Sequence, residues 1–510
     1  MSLSNPPAGE GEKAMLTHAP PHRKLQQNQA TRKPGSDTIA RASDPVRIAC
    51  GQSEATRKKA PASSRGGSRN CDWGQLSAGR KGDSVSFAQR LQEIREGFQP
   101  AFWVANITEL FERLSYYAAF ASLANYLHER LNFPTSQAGT LTGLFGGLVW
   151  FLAIFGGALA DRLGFRRALS LAYAILSCAY FLLGSISASW MGPVREAVPL
   201  LWLVVFVLML PALGIALVKP CVVGTTARAS SENVRSIGYS IYYTLVNIGG
   251  AAGPYLASWV HRHLSVENVF RLSALSVFLM FFAVLLFFKE PGRSGPEQTA
   301  SLGQAVRNFW TVMTNPKFML FLLIFSGYWI VFWQEFIALP LYIHGYLDPK
   351  ADVELILVTD AASVIALQVL VSYLTQKIPS FQAITLGTLI SAVSWVILAS
   401  HPAVWTAVVS LIVLALGEMT QSPRYYEYIS RLAPQGQQGT YMGFAFLPIG
   451  IGSLVGGWLG GHLTHYYGEV LRRPHQMWYV VTAIGIATTL LMWTYNLILK
   501  PGEGSPPTTS

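Results

Sequence analysis

The sequence predicts an all-α membrane protein: twelve transmembrane helices in two six-helix bundles. Three observations carry that expectation. The chain of 510 residues is 51% hydrophobic and only 13% charged, where a soluble globular protein carries roughly a quarter charged residues. Its apolar residues come in runs of about twenty, the length a helix needs to cross a bilayer. The longest joint between runs falls after the sixth, which divides them six and six, as in carriers whose halves rock about a central site.

The runs lie near 100–127, 139–162, 167–188, 198–222, 236–261, 269–289, 318–345, 353–376, 381–400, 404–431, 438–464 and 476–498. They define an N-terminal bundle over 99–289 and a C-terminal bundle over 318–498, with a cytoplasmic linker over 290–317 that contains Pro291-Gly292-Arg293-Ser294-Gly295-Pro296. Residues 1–98 hold sixteen Lys/Arg and nine Asp/Glu, so this tail supplies most of the net charge of +11. Its basic residues are scattered among Gly, Ser, Pro, Gln and Ala, a composition that cannot bury a core, and disorder is expected there and over 499–510. The tail lacks the apolar stretch of a secretory signal. Of the four cysteines, Cys50 and Cys71 fall in the tail and Cys178 and Cys221 in apolar runs, with neither metal-ligand nor disulfide spacing.

Loop charge sets the expected orientation. If the first run enters from the cytoplasm, the loops that become cytoplasmic hold about eleven Lys/Arg against about seven opposite, in keeping with the positive-inside rule. Both termini are then cytoplasmic, in a multi-pass protein of the cell membrane.

Charges inside the runs point to function. Each costs at least about 2.5–3.5 kcal/mol at the bilayer centre, so such groups line cavities between helices rather than face lipid. They are Glu109, Glu112 and Arg113 in the first run, Lys219 in the fourth, Glu335 in the seventh, Asp360 in the eighth, and Glu418, Arg424 and Glu427 in the tenth. Glu109, Glu112 and Arg113 share one helical face, extended by Tyr116, Tyr117 and Phe120. One Arg cannot fully pair two carboxylates in a low dielectric, so one carboxyl tends to hold a proton, as proton coupling requires. The whole set has six carboxylates against three cations, and a buried site answers that imbalance by protonation. Lys219 and Glu418 sit in opposite halves, and a pair between them would act as a gate. Arg424, Glu427 and Arg431 read as a local pairing ladder. Gly156-Gly157 and Gly249-Gly250 allow close helix packing, and Pro211, Pro220, Pro423 and Pro448 can kink helices.

The stretch from Gly156-Gly157 through Asp161-Arg162 and Gly164 to Arg166-Arg167 resembles the loop between helices 2 and 3 of the major facilitator superfamily. Three further motifs resemble the proton-dependent oligopeptide transporter family within it. They are Glu109-x-x-Glu112-Arg113 followed by Ser115-Tyr116-Tyr117, Tyr242-Tyr243-x-x-x-Asn247-x-Gly249, and Gly417-Glu418-x-x-x-Ser422-Pro423 with Leu432-Ala433-Pro434. Lys219-Pro220 also fits. The resemblance implies a major facilitator fold, proton coupling by Glu109, Glu112 and Arg113, a gating pair of Lys219 and Glu418, and a hinge loop at Gly157, Asp161, Arg162 and Gly164. The expected substrate-binding set is Tyr116, Tyr117, Phe120, Asn247, Trp329, Gln334, Glu335, Asp360 and Glu418, with Asn247 and Glu418 towards a substrate amine.

The departures are specific. Peptide carriers of this family usually have a second Arg where Phe120 stands, an Asn-Pro near Asp360-Ala361, and small or apolar residues where this chain reads Arg424-Tyr425-Tyr426-Glu427-Tyr428. The proton machinery is therefore expected to be intact and the pocket altered. The expected function is proton-coupled symport of a small organic solute by alternating access, with di- or tripeptides first. The alternatives are another solute on the same machine (an amino-acid derivative, nitrate or a drug-like molecule) and a transporter-like receptor. No enzyme signature, nucleotide-binding motif or metal motif is present in the sequence. The expected partners are the solute, protons and lipid, with no nucleic acid, no cofactor and no metal, in a monomer.

Overall fold

Twelve long helices appear in the computed structural model, which describes residues 96–292, 302–433 and 438–499. We number them α1 Pro100–Asn125, α2 Thr135–Leu163, α3 Phe165–Leu183, α4 Leu200–Arg228, α5 Arg235–His263, α6 Val266–Phe287, α7 Pro316–Phe332, α8 Val353–Thr375, α9 Ser380–Ser400, α10 Val404–Leu432, α11 Leu447–Leu463 and α12 Met477–Leu499. Ten stretches are long and apolar enough to cross a membrane. The helices outside that set are α1 and α5. The first carries Glu109, Glu112 and Arg113, and the second begins at Arg235 and ends in His261-Arg262-His263. Their polarity is tolerable because they pack against α6 and one another, with Glu109, Glu112 and Arg113 of α1 buried. No strand occurs among the described residues; one isolated bridge joins Phe98 to Ser230.

Short-range chemistry sets the helix boundaries. Pro100 and Pro316 open their helices at the first turn, where a missing N–H costs nothing. Asn315 and Asp352 cap α7 and α8 by accepting from the amides of Phe318 (3.2 Å) and Leu355 (3.0 Å). Between α2 and α3 the chain turns on Gly164 at φ 78°, ψ 148°, a conformation open in practice only to glycine. The Glu290 carboxylate then accepts from the amides of Phe165 and Arg166, both at 2.8 Å, placing a negative charge at the positive end of α3.

Two helices are broken. After Phe332, α7 tightens into a 3₁₀ turn over Trp333–Glu335, resumes over Ala338–Tyr342 and ends in a wide turn over Ile343–Leu347. The break lies at Glu335. A helix over Gln438–Phe444 precedes α11 and stops before Pro448, which opens the next segment instead of kinking a continuous helix. Pro211, Pro220, Pro254 and Pro423 do lie inside helices.

The first six helices pack among themselves through α1–α5, α1–α6, α2–α4 and α3–α6, and the last six through α7–α11, α8–α10, α9–α10 and α9–α12. The halves meet along α2–α11 and α5–α8. Glycine makes the first seam. A Cβ on Gly139 would lie 2.6 Å from the Gly461 Cα, and one on Gly143 would lie 2.5 Å from the Gly457 Cα. This seam occupies the ends of the helices remote from the α2–α3 loop.

The edges differ from expectation. Phe98 is buried and stacks on Phe102 at 4.2 Å, while Ser231 donates its amide to Gly97, so the folded part begins before residue 99. Residues 302–313 of the expected linker form a helix, Leu302–Met313. The remaining tail and linker residues, 1–95, 293–301 and 500–510, lie outside the described residues, as does the Pro434 end of the α10 motif.

Candidate functional site

The side chains of α1 build the first part of the site. Arg113 meets Glu112 through two hydrogen bonds, Nε to Oε2 at 2.6 Å and Nη2 to Oε1 at 2.8 Å. Glu109 stands 3.6 Å from the same Nε, and neither of its oxygens has a hydrogen-bond partner among the described residues. All three side chains are buried. The guanidinium also sits 4.8 Å from the Tyr116 ring centroid. Gly249 on α5 permits this arrangement, since a Cβ there would approach the Arg113 Cβ to 2.8 Å. Lys219 of α4 lies within electrostatic reach of Glu109 and Glu112. Its ammonium rests 4.3 Å over the Trp150 ring of α2 and 5.9 Å from that of Phe446, ahead of α11. No ion pair joins Lys219 to Glu418 in this conformation.

The second part lies in the other half. Glu335, at the break in α7, is fully buried with both oxygens unpartnered among the described residues. Asp360 of α8 and Glu418 of α10 face it closely enough to oppose its charge, and Tyr117 of α1 lies within reach of all three. Asp360 Oδ1 is also buried without a partner among the described residues. Arg424 does not reach this group. Its Nη1 donates to Glu427 at 2.9 Å and its Nη2 to the Thr375 carbonyl at 3.2 Å, while Arg431 holds the other Glu427 oxygen at 2.5 Å.

This arrangement redistributes the charge imbalance seen in the sequence. Two cations stand near Glu109 and Glu112, and Glu427 has its own arginines. The uncompensated charge is concentrated on Glu335, Asp360 and Glu418. Like charges buried together are stable only when protons or a bound cation neutralise them.

An aromatic layer separates the two parts. Phe120 is fully buried and touches Phe145 of α2 (5.6 Å), Trp333 (5.3 Å) and Phe336 (5.4 Å), with Tyr116 stacked on it at 5.6 Å. The ring of Phe120 thus bridges the halves. On α5, Asn247 donates to the Tyr243 carbonyl at 2.8 Å, and the polar stripe Tyr239, Ser240, Tyr243 and Thr244 borders a cleft of about 700 Å³ with Arg235.

Other expected residues serve packing. Gln334 donates to the carbonyls of Ile330 (2.7 Å) and Gly456 (3.1 Å), bracing α7 against α11. Trp329 packs beside Gly452 with its Nε1 unpartnered. Gly156 lies against the Ala216 backbone, whereas Gly157 has ordinary space beside Pro220. Arg162 is exposed, and the Asp161 side chain lies outside the described residues. Sequence reading did not single out Glu290, the α2–α11 glycine seam or the His261 and His344 contacts described below. The Gly450-x-x-Ser453-x-x-Gly456-Gly457 spacing was the available signal for the seam. Among the described residues, no group of His, Cys, Asp and Glu could hold a metal ion.

The family model of the Major Facilitator Superfamily matches residues 106–350 and 336–509. The chain belongs to the major facilitator superfamily. Among curated relatives, it is 24% identical to the multidrug resistance protein MdtH of Blochmanniella floridana over 405 residues, covering 76% of this chain and 92% of that one. It is 21% identical over 399 residues to MdtH of Salmonella paratyphi B, covering 76% and 94%. Among solved structures, a POT family transporter bound to 5-aminolevulinic acid superposes with a TM-score of 0.64 at 17% identity, covering 77% of this chain and 95% of that one. A peptide transporter POT in complex with sulfate gives 0.62 at 18%, covering 78% and 94%. At such identities the superpositions establish the fold alone, two six-helix bundles; the family match makes the chain a multi-pass membrane transporter.

Proposed function

We propose that this transporter is a proton-coupled symporter of the oligopeptide-transporter type, importing a small solute that carries a protonated amine. The observation that carries this reading is the carboxylate group of buried Glu335 and Asp360 with half-buried Glu418, which has no cation of its own among the described residues. Protons neutralise it when the solute is absent, and an ammonium group replaces part of that charge when the solute is bound. Arg113 and its two carboxylates form the second coupling element: protonating Glu112 or Glu109 loosens the guanidinium and lets the halves move. Lys219, held over Trp150, is free to pair with Glu418 in another access state. The positive-inside bias supports a cytoplasmic α2–α3 loop and cytoplasmic termini in a protein of the cell membrane.

Di- and tripeptides are the first solutes to test. A second reading, an amine-bearing solute without a carboxylate, is favoured by Phe120, an apolar ring where a peptide carboxylate would need a cation. The multidrug relatives fit that reading as well. The test is uptake into proteoliposomes with Glu335→Gln, Asp360→Asn and Glu418→Gln. Each is expected to abolish accumulation driven by a pH gradient. Wild-type accumulation in all three variants would overturn the assignment of this group to coupling.

A further inference from the structure

The end of the molecule remote from the α2–α3 loop carries polar contacts between the halves that the proposed coupling machinery does not use. His344, in the turn after α7, has its Nδ1 2.6 Å from Glu129 Oε1 at the end of α1 and its Nε2 3.0 Å from the Ala351 carbonyl. Asn125 of α1 lies 3.1 Å from the same Nδ1. The Asn125 Oδ1 has no partner among the described residues, so turning the amide presents a further acceptor there. On α8, Glu354 accepts from Ser122 of α1 at 3.0 Å and meets His261 of α5 at 2.9 Å. Asp352 accepts from Ser258 (2.6 Å) and Arg262 (3.1 Å) of α5. These contacts join α1 and α5 to α7 and α8.

A neutral imidazole has one N–H and one lone pair. At His344 the Nε2 faces a carbonyl and the Nδ1 faces the Glu129 carboxylate at 2.6 Å. With the Asn125 amide turned so that its oxygen rather than its nitrogen meets Nδ1, every neighbour of the ring accepts, an arrangement the imidazolium satisfies in full. We propose that His344 is a further proton-binding site, and that its protonated form latches the two halves together at this end. Losing the Nδ1 proton to water leaves a lone pair against the Glu129 carboxylate, and the α1–α7 tie is lost. The groups facing His344 are Glu129 from the wide turn after α1, His261 and Arg262 from α5, Glu354 of α8 with the helix cap Asp352, and Lys350 from the preceding loop. They line a cavity of about 280 Å³. The Glu129 side chain is 42% exposed, which gives water a route to the pair.

Burial alone would lower the affinity of His344 for its proton, but the Glu129 hydrogen bond and the Ala351 carbonyl outweigh it, and the group stays protonated above the ordinary histidine range. With its folded-state affinity raised, its contribution to closure is complete below about pH 6.5 and is lost as pH rises through the higher folded value.

The test needs no transport assay. Spin labels at Glu196→Cys, between α3 and α4, and Leu471→Cys, after α11, report the separation of the halves at this end. The full-length protein is used in lipid nanodiscs, with its native cysteines replaced by Ser. A short-distance population at about pH 6 should give way to a longer one by about pH 9. His344→Gln should show the same mixture at both values, while His261→Gln should keep the shift. A pH-invariant wild type, or a full shift retained in His344→Gln, overturns the proposal. Should His344→Gln fail to fold, Glu129→Gln takes its place, and a shift retained there overturns it equally.

Discussion

At the scale of single residues, the ionisable groups were legible in the sequence and their partners were not. Composition marked Glu109, Glu112, Arg113, Glu335, Asp360 and Glu418 because charge in an apolar run has a high cost wherever the run lies. Partnership depends on which helices meet. At Arg113 the expected imbalance is visible: two short hydrogen bonds go to Glu112, and Glu109 has no hydrogen-bond partner among the described residues. What the sequence did not indicate is the second cluster, Glu335, Asp360 and Glu418, whose charges oppose one another in the C-terminal half. Two predictions belong here. Glu112→Gln should reduce pH-driven uptake at least about tenfold, a barrier change of about 1.4 kcal/mol, and leave counterflow exchange intact. Uptake and counterflow in the same vesicles check this. Phe120→Arg places a cation beside Tyr116 and should raise dipeptide uptake. If the wild type already transports dipeptides strongly, the altered-pocket reading fails.

At the scale of elements, helix positions followed from apolar runs to within a few residues, but breaks and seams did not. The interruption of α7 at Glu335 follows a strongly apolar stretch, and no Gly or Pro lies between Trp329 and Phe336 to announce it. The α2–α11 seam joins Gly139 to Gly461 and Gly143 to Gly457, more than half the chain apart, a separation local patterning cannot bridge. Gly143→Leu should force α2 from α11, destabilising the closed form by about 1–3 kcal/mol as overpacking does, and enlarge the open population of the labelled pair. Gly164→Ala should lower stability by about 1–3 kcal/mol, because alanine rarely adopts its backbone angles. Thermal unfolding in detergent measures both, and an unchanged midpoint for Gly164→Ala would show that the turn relaxes without cost.

At the scale of the whole molecule, the division into halves was readable from the joint after the sixth run, because a long Pro/Gly-rich interval leaves two sets of six. Which end is closed was not readable: it depends on the glycine seam and on the contacts of His344, Glu354 and Asp352 with α1 and α5. That end is closed by the glycine seam, and polar α5 residues border a cleft near the other; the proposed alternating-access cycle requires a conformation of this kind. The most direct test of the central claim is uptake into proteoliposomes under an imposed inward proton gradient, with dipeptides, tripeptides, amino acids, amine-bearing drugs and nitrate compared side by side. Our account predicts accumulation of an amine-bearing solute that collapses when a protonophore dissipates the gradient. Equal accumulation with and without the gradient, or accumulation of nitrate alone, would contradict it.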